Sequence, residues 1–355
     1  MKKNKLGIIG HFGGNKKFLD GQTVKTKILY EELEKKTNWK IKKIDTYYKK
    51  PNPIKLIFQT ILAIIECESI VVLLSSNGMK IYFPLLYCCS KFLNKKIFHD
   101  VIGGNLDENI KKYPRYKKYL NSFEYNWVET NGLKQRLEDL GVNNCEVIPN
   151  FKRLDIISEN EIVKKKDNKV YRFCTFSRVV KEKGIEEAIN AVKGLNDEKY
   201  KNLSYMLDIY GPINKNYEND FKNIIEKSYI GINYCGQVPF DKSVNILKKY
   251  DALLFPTYWE GECFPGTIVD AFSAGLPVIA TDWNSNSEIV NNNLNGIIYP
   301  NKEILNLSAA IKALVVKSKF EQMNMKKECI KEAKLFQPDK YIDLIIKRIN
   351  KEEDK

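Results

Sequence analysis

Short continuous apolar runs, bounded by glycine, proline or polar residues, recur along this chain and predict strands buried on both faces. They fall at residues 6–12, 70–74, 96–102, 125–130 and 145–150, and again at 171–177, 206–210, 233–235, 252–255, 276–280 and 296–299. Between them lie stretches with helical spacing. The clearest puts Ile185, Ala188, Ile189, Val192 and Leu195 on one face. Others are predicted over 23–36, 243–250, 267–273, 304–316, 321–334 and 339–349. Strand and helix in alternation predict an α/β fold with parallel sheets. The charged stretch 152–168 has no core pattern, so a linker is expected at 151–168, between one domain at 1–150 and another at 169–336, with a last helical segment at 337–355.

Composition supports two domains, because 355 residues at 43% hydrophobic content are enough for two full cores. The 58 basic and 44 acidic side chains leave a formal charge of +14, which favours an anionic partner: nucleic acid, anionic lipid or a phosphorylated substrate. No RNP box or zinc finger supports nucleic acid. The eight cysteines form no CxxC pair and have no histidine partners at zinc spacing, which predicts a reducing compartment and no structural metal. The apolar run after Met1 is too short for a secretory signal, and the uncharged stretch 56–65 is about half the ~20 residues of a spanning helix. A cytoplasmic protein, soluble or peripheral on the inner face of a membrane, is expected. Lysines alternate with aromatic and apolar residues from 35 to 55, ahead of the apolar stretches 56–65 and 79–93. Two readings stay open: a core helix beside a solvated lysine face, or a basic amphipathic patch on anionic lipid.

Candidate chemistry concentrates in 251–282, a strand, a polar loop with Trp259, Glu260, Gly261 and Glu262, then Pro265 and Gly266 leading into a helix and the next strand. Loops at the carboxyl ends of strands are where open α/β sheets bind ligands. Residues 263–267 can turn backbone N–H groups toward an anion. Glu262 precedes the helix and Asp270 lies one turn inside it; either alone could simply complement the helix dipole. Upstream, Arg178 and Lys183 sit on another strand-to-helix loop, as ordinary surface cations or as a phosphate grip. The segment 251–282 resembles the acidic-x7-acidic signature of the retaining, glycogen-synthase-like family 4 (group 1) glycosyltransferases. Glu262, Asp270-Ala271 and Gly275-Leu276-Pro277-Val278 stand where that family has Glu-x7-Glu, Ala and a Gly-x-Pro-Val strand; Asp270 for the second Glu is a departure. Ser177 to Gly184 resembles its Gly-Arg-x4-Lys-Gly element, with Ser177 for the first glycine. The tract 20–26 is similar to that of bacterial polysaccharide transferases.

The resemblance implies a GT-B architecture, two Rossmann-like domains facing across a deep cleft, with acceptor binding at 1–150, nucleotide-sugar binding at 169–336 and the last helix crossing back to the first domain. It implies Glu262, Arg178 and Lys183 as catalytic residues. Donor binding falls to Gly13, Gly14, Asp100, Gly103, Cys263, Phe264, Gly266, Thr267 and Asp270. The implied reaction is retaining, metal-independent sugar transfer in surface-polysaccharide synthesis, from a nucleotide-diphosphate sugar to a glycan or lipid-linked acceptor. No cofactor and no nucleic-acid partner are expected, and an anionic membrane surface is kept as a further partner. No Asp-x-Asp at a strand end points to a bridging metal. Relatives keep a His-Gly pair where this chain has Ile102-Gly103, and His99, inside an apolar strand, reads as a core residue. Two alternatives remain: a sugar-nucleotide epimerase of the same fold, or a non-catalytic sugar-nucleotide-binding partner subunit.

Overall fold

A computed structural model describes residues 5–16, 21–162, 169–227, 231–300 and 304–351. The first sheet forms where apolar runs leave no polar face to water. Its elements are β1 (Lys5–Gly10), α1 (Gly21–Lys36), β2 (Lys40–Asp45), α2 (Pro53–Glu66), β3 (Ser69–Val72), α3 (Ser76–Phe92), β4 (Lys96–Asp100), α4 (Leu106–Lys112), α5 (Arg115–Leu120), β5 (Tyr125–Val128), α6 (Asn131–Asp139) and β6 (Cys145–Val147). All six strands are parallel, in the order β2-β1-β3-β4-β5-β6. The order reverses between β1 and β3.

β2 has no counterpart among the predicted strands. Its sequence, KIKKID, lies inside the stretch read as a lysine patch. It is an edge strand that buries Ile44 completely and carries lysines, which discourage pairing with another chain. The core-helix reading of 56–65 holds for one face only. Asn52 caps α2 by accepting from the Lys55 amide, Pro53 opens it, and Leu56, Thr60 and Ala63 face inward. Ile54, Ile57, Phe58, Ile61 and Ile65 remain 49–79% exposed.

The second sheet is built from β7 (Val170–Phe176), α7 (Ile185–Asp197), β8 (Ser204–Tyr210), α8 (Glu218–Glu226), β9 (Ile232–Gly236), α9 (Ser243–Leu247), β10 (Ala252–Phe255), α10 (Gly266–Ser273), β11 (Val278–Thr281), α11 (Asn286–Ile289), β12 (Gly296–Tyr299), α12 (Ile304–Val315) and α13 (Lys319–Leu335). Its order is β12-β11-β10-β7-β8-β9, again all parallel. This is the doubly wound dinucleotide-fold order, whose reversal lies between β7 and β10.

The chain divides into one unit of residues 1–152 with 337–355, and another of residues 153–336. The segment expected as a linker is therefore not one throughout. Ile157 and Ile162 are 6% exposed in the core of the second unit, and the Ile157 amide donates to the Ser273 carbonyl at 3.0 Å. Two isoleucines spaced among charges gave no periodicity to detect; residues 163–168 lie outside the described residues. The last helix, α14 (Pro338–Asn350), belongs to the first unit. Its Ile342, Ile345 and Ile349 join Leu29 and Leu33 of α1 in one core, and Arg348 pairs with Glu146 at 2.7 Å. Among the described residues no helix is long and apolar enough to cross a membrane.

Candidate active site

The loops after β7 and β10 leave the sheet on either side of its order reversal, so their side chains converge at the ligand-binding edge of this fold. The first carries Arg178 and Lys183, the second Trp259 and Glu262. Lys183 and Glu262 form an ion pair, with the two side chains only 9% and 12% exposed. The Thr257 hydroxyl donates to the same Glu262 carboxylate at 3.2 Å, and the Lys183 amine stands 5.5 Å from the Phe255 ring centre. Arg178 is exposed and lies over Trp259, its guanidinium carbon 5.1 Å from the ring centre. The Lys183–Glu262 pair and Arg178, which lies over Trp259, thus stand on the two loops that flank the reversal.

The loop that presents Glu262 is held from several sides. The Tyr258 amide donates to the Glu182 carbonyl at 2.8 Å, and the Thr281 hydroxyl to the Thr257 carbonyl at 2.6 Å. The Trp283 indole donates to the Trp259 carbonyl at 2.9 Å, and the Asn284 amide to the carbonyls of Glu260 and Glu262. Sequence reasoning singled out neither Thr257 nor Trp283 nor Asn284. Gly184 is required: its φ is 70°, and a Cβ there would stand 2.1 Å from the Pro256 carbonyl oxygen. Ser177 keeps a negative φ, so a side chain fits where the family has glycine.

The helix starts within one residue of where its sequence predicts. α10 has no side-chain cap, and Thr267 anchors its first turn by donating to the Phe176 carbonyl at 2.8 Å. Gly266 opens the helix, next to amides that lack intrahelical acceptors. The Cys263 and Phe264 side chains are 4% and 8% exposed, and Phe264 packs edge-on against Phe336 at 5.1 Å. Asp270 is 5% exposed on the second turn.

In the first unit, two of the residues singled out from sequence, Gly14 and Asp100, have partners within the protein. The Gly14 amide donates to Asp45 at 2.8 Å and the Phe12 amide to the same carboxylate at 2.9 Å, so the glycine loop already holds an anion of its own. Gly13, Gly14 and Gly103 all have positive φ, at 85°, 57° and 77°. Asp100 does not line an open surface. It is 1% exposed, 2.7 Å from the Lys25 amine, which also reaches Glu129 at 2.9 Å and donates to the Val101 carbonyl. A carboxylate at a strand end covered by α1 needs a buried counter-ion, and sequence gave no sign of one. Burial pushes the Asp100 carboxyl up against the pull of Lys25. For Lys25, burial opposes the charged form, but the two carboxylates outweigh it and raise the amine.

His99 is fully buried, 5.1 Å from the Phe83 ring and 3.3 Å from the Asn126 side chain, as expected for a core histidine. Burial lowers its pKa from 6.5 to about 4. The unfolded chain then binds the extra proton between those values, so stability should fall as pH drops from 6.5 toward 4, by about 3 kcal/mol in all. Urea midpoints at pH 7 and pH 5 measure this, and His99→Phe should flatten the difference.

Among the described residues no three His, Cys, Asp or Glu side chains gather as a metal site. Residues 157–336 match the family model described as glycosyl transferases group 1. An uncharacterized glycosyltransferase of Methanocaldococcus jannaschii is 23% identical over 59% of this chain. The Escherichia coli UDP-Gal:alpha-D-GlcNAc-diphosphoundecaprenol alpha-1,3-galactosyltransferase is 29% identical over 34% of it. The matched parts span 51% and 29% of those two proteins' own lengths. In fold, the chain is similar to a sucrose-phosphate synthase from Thermosynechococcus elongatus, with a TM-score of 0.78 at 13% identity over 98% of both chains.

Proposed function

Since this chain belongs to the group 1 glycosyl transferases, we propose that it moves a sugar from a nucleoside-diphosphate sugar to a glycan or lipid-linked acceptor in surface-polysaccharide synthesis. The observation that carries this reading is the convergence of Arg178, Lys183 and Glu262 at the order reversal of the second sheet. Breaking the anomeric C–O bond builds negative charge on the leaving diphosphate and positive charge on the sugar. Fixed cations and the open amides of α10, aimed where that charge grows, lower the barrier without reorganising. Glu262, held by Thr257 and Lys183, supplies a carboxylate for a donor hydroxyl, and Asp270 one for the ribose. Retention of anomeric configuration and operation without a metal are part of the proposal. A lipid-linked acceptor is favoured by the name of the Escherichia coli relative.

A screen of uridine and guanosine diphosphate sugars by thermal shift tests this. A donor at ~100 times its dissociation constant should add about 2.7 kcal/mol of stability. The same donor should be hydrolysed slowly without acceptor, and Arg178→Ala should remove both effects. Binding without turnover would instead favour a non-catalytic partner subunit.

Seating on the inner face of an anionic membrane is also proposed. Its support is the row Ile54, Phe58 and Ile65, exposed by 62–79%, near Lys49, Lys50 and Lys55. Co-sedimentation with vesicles should require anionic lipid and weaken from 0.05 to 0.5 M salt as screening grows. Binding indifferent to both would sink it.

A further inference from the structure

The carboxyl edge of the first sheet opens into a cavity that the donor chemistry leaves unused. Its volume is about 600 Å³, inside the ~300–1,000 Å³ range of small-molecule sites. One wall is Leu56, Ile57 and Ile61 of α2; the other is Leu74, Ile81 and Leu85 along the β3–α3 connection and α3. His11 and Gln22 line it at the ends of β1 and the start of α1, so the cavity reaches the β1/β3 order reversal, the ligand-binding position of such sheets. Lys49 and Lys50 line it from the β2–α2 connection. Both are exposed, and neither has an ion pair among the described residues. Ile57, Ile61, Ile81 and Leu85 are 36–59% exposed, an apolar surface that a monomeric protein rarely leaves to water.

We infer that this groove holds one hydrocarbon chain of the lipid-linked acceptor, with the acceptor's phosphate against Lys49 and Lys50. The inference rests on the sugar-transfer reading for what the headgroup carries; the groove itself does not. A flat bilayer meets outward-facing side chains such as Ile54 and Phe58 but leaves a concavity of this size unfilled, forfeiting contact on every wall. A single chain drawn out of the bilayer fills it. The lysines supply the charge complement that a neutral chain would not need, and a phosphate-linked amphiphile satisfies both features at once.

The test titrates the full chain with dodecyl phosphate below its micelle concentration, with inorganic pyrophosphate and neutral decyl maltoside in parallel. One dodecyl phosphate should bind per chain, with pyrophosphate and decyl maltoside each binding at least tenfold more weakly. Ile81→Trp, which fills the groove, should abolish binding. The exposed pair Lys49→Ala with Lys50→Ala, which leaves the core untouched, should weaken it roughly thirtyfold. Equal binding of pyrophosphate, an unaffected lysine variant, or binding seen only with phosphatidylglycerol-containing vesicles would each overturn the groove. Sugar nucleotides titrated on the same wild-type chain separate the two readings. Sugar-nucleotide binding without dodecyl phosphate binding removes the groove alone; the reverse removes the transferase.

Discussion

Replacing Lys183 with alanine should lower donor turnover by at least a hundredfold and destabilise the protein as well. A preorganised group aimed at developing charge is worth roughly a hundredfold or more when removed. The stability cost arises because Glu262, only 12% exposed, loses its counter-ion. Full burial of an abandoned charge costs about 3–5 kcal/mol; with Glu262 still touching water and keeping Thr257, about 2 kcal/mol is expected. Glu262→Gln should separate the two roles. It keeps the shape, frees the Lys183 amine for a phosphate, and should retain nucleoside-diphosphate binding while turnover falls. Calorimetric titration with UDP and a hydrolysis assay on both variants decide the matter. Turnover surviving in Lys183→Ala would remove the pair from the chemistry.

Lys25→Met should have the largest effect on stability. The amine is 4% exposed and stands between Asp100 and Glu129, so methionine fills the space and leaves two buried carboxylates facing each other. Losing a buried partner costs about 3–5 kcal/mol, enough to unfold much of the first unit at neutral pH. Acid should rescue it. Burial already pushes the Asp100 carboxyl up, and without the lysine it rises further above its unfolded value. The folded state then binds more protons than the unfolded one, and stability falls as pH rises. The variant should therefore be more stable at pH 5 than at pH 8, the opposite of the slope His99 gives the parent. Urea midpoints at the two pH values test this; a variant matching the parent at pH 8 would show that the lysine neutralises nothing of consequence.

The two parallel sheets were legible because a strand covered on both faces reads as an unbroken apolar run. β2 was not, since an edge strand buries Ile44 and leaves its lysines outside. The charged groups of the second unit were legible because Arg178, Lys183 and Glu262 each sit just after an apolar run, on loops the topology brings together. The Lys25–Asp100–Glu129 group was invisible for the opposite reason. Its members are far apart in sequence, and nothing in a charged residue's neighbours announces that a helix will cover it. Asp45 escaped for the same reason: its role is to accept the amides of Phe12 and Gly14, and backbone partners leave no mark in sequence.

Because α14 completes the core around Leu29 and Leu33, the half of the protein synthesised first is finished last. A nascent chain emerging from the ribosome has every residue of the second unit available while the first still lacks Ile342, Ile345 and Ile349. The usual order, with the leading domain folding first, is then inverted. Until α14 emerges, the surface of α1 that it covers stays exposed to chaperones, and a stop codon ahead of Pro338 would damage a core laid down far upstream of it.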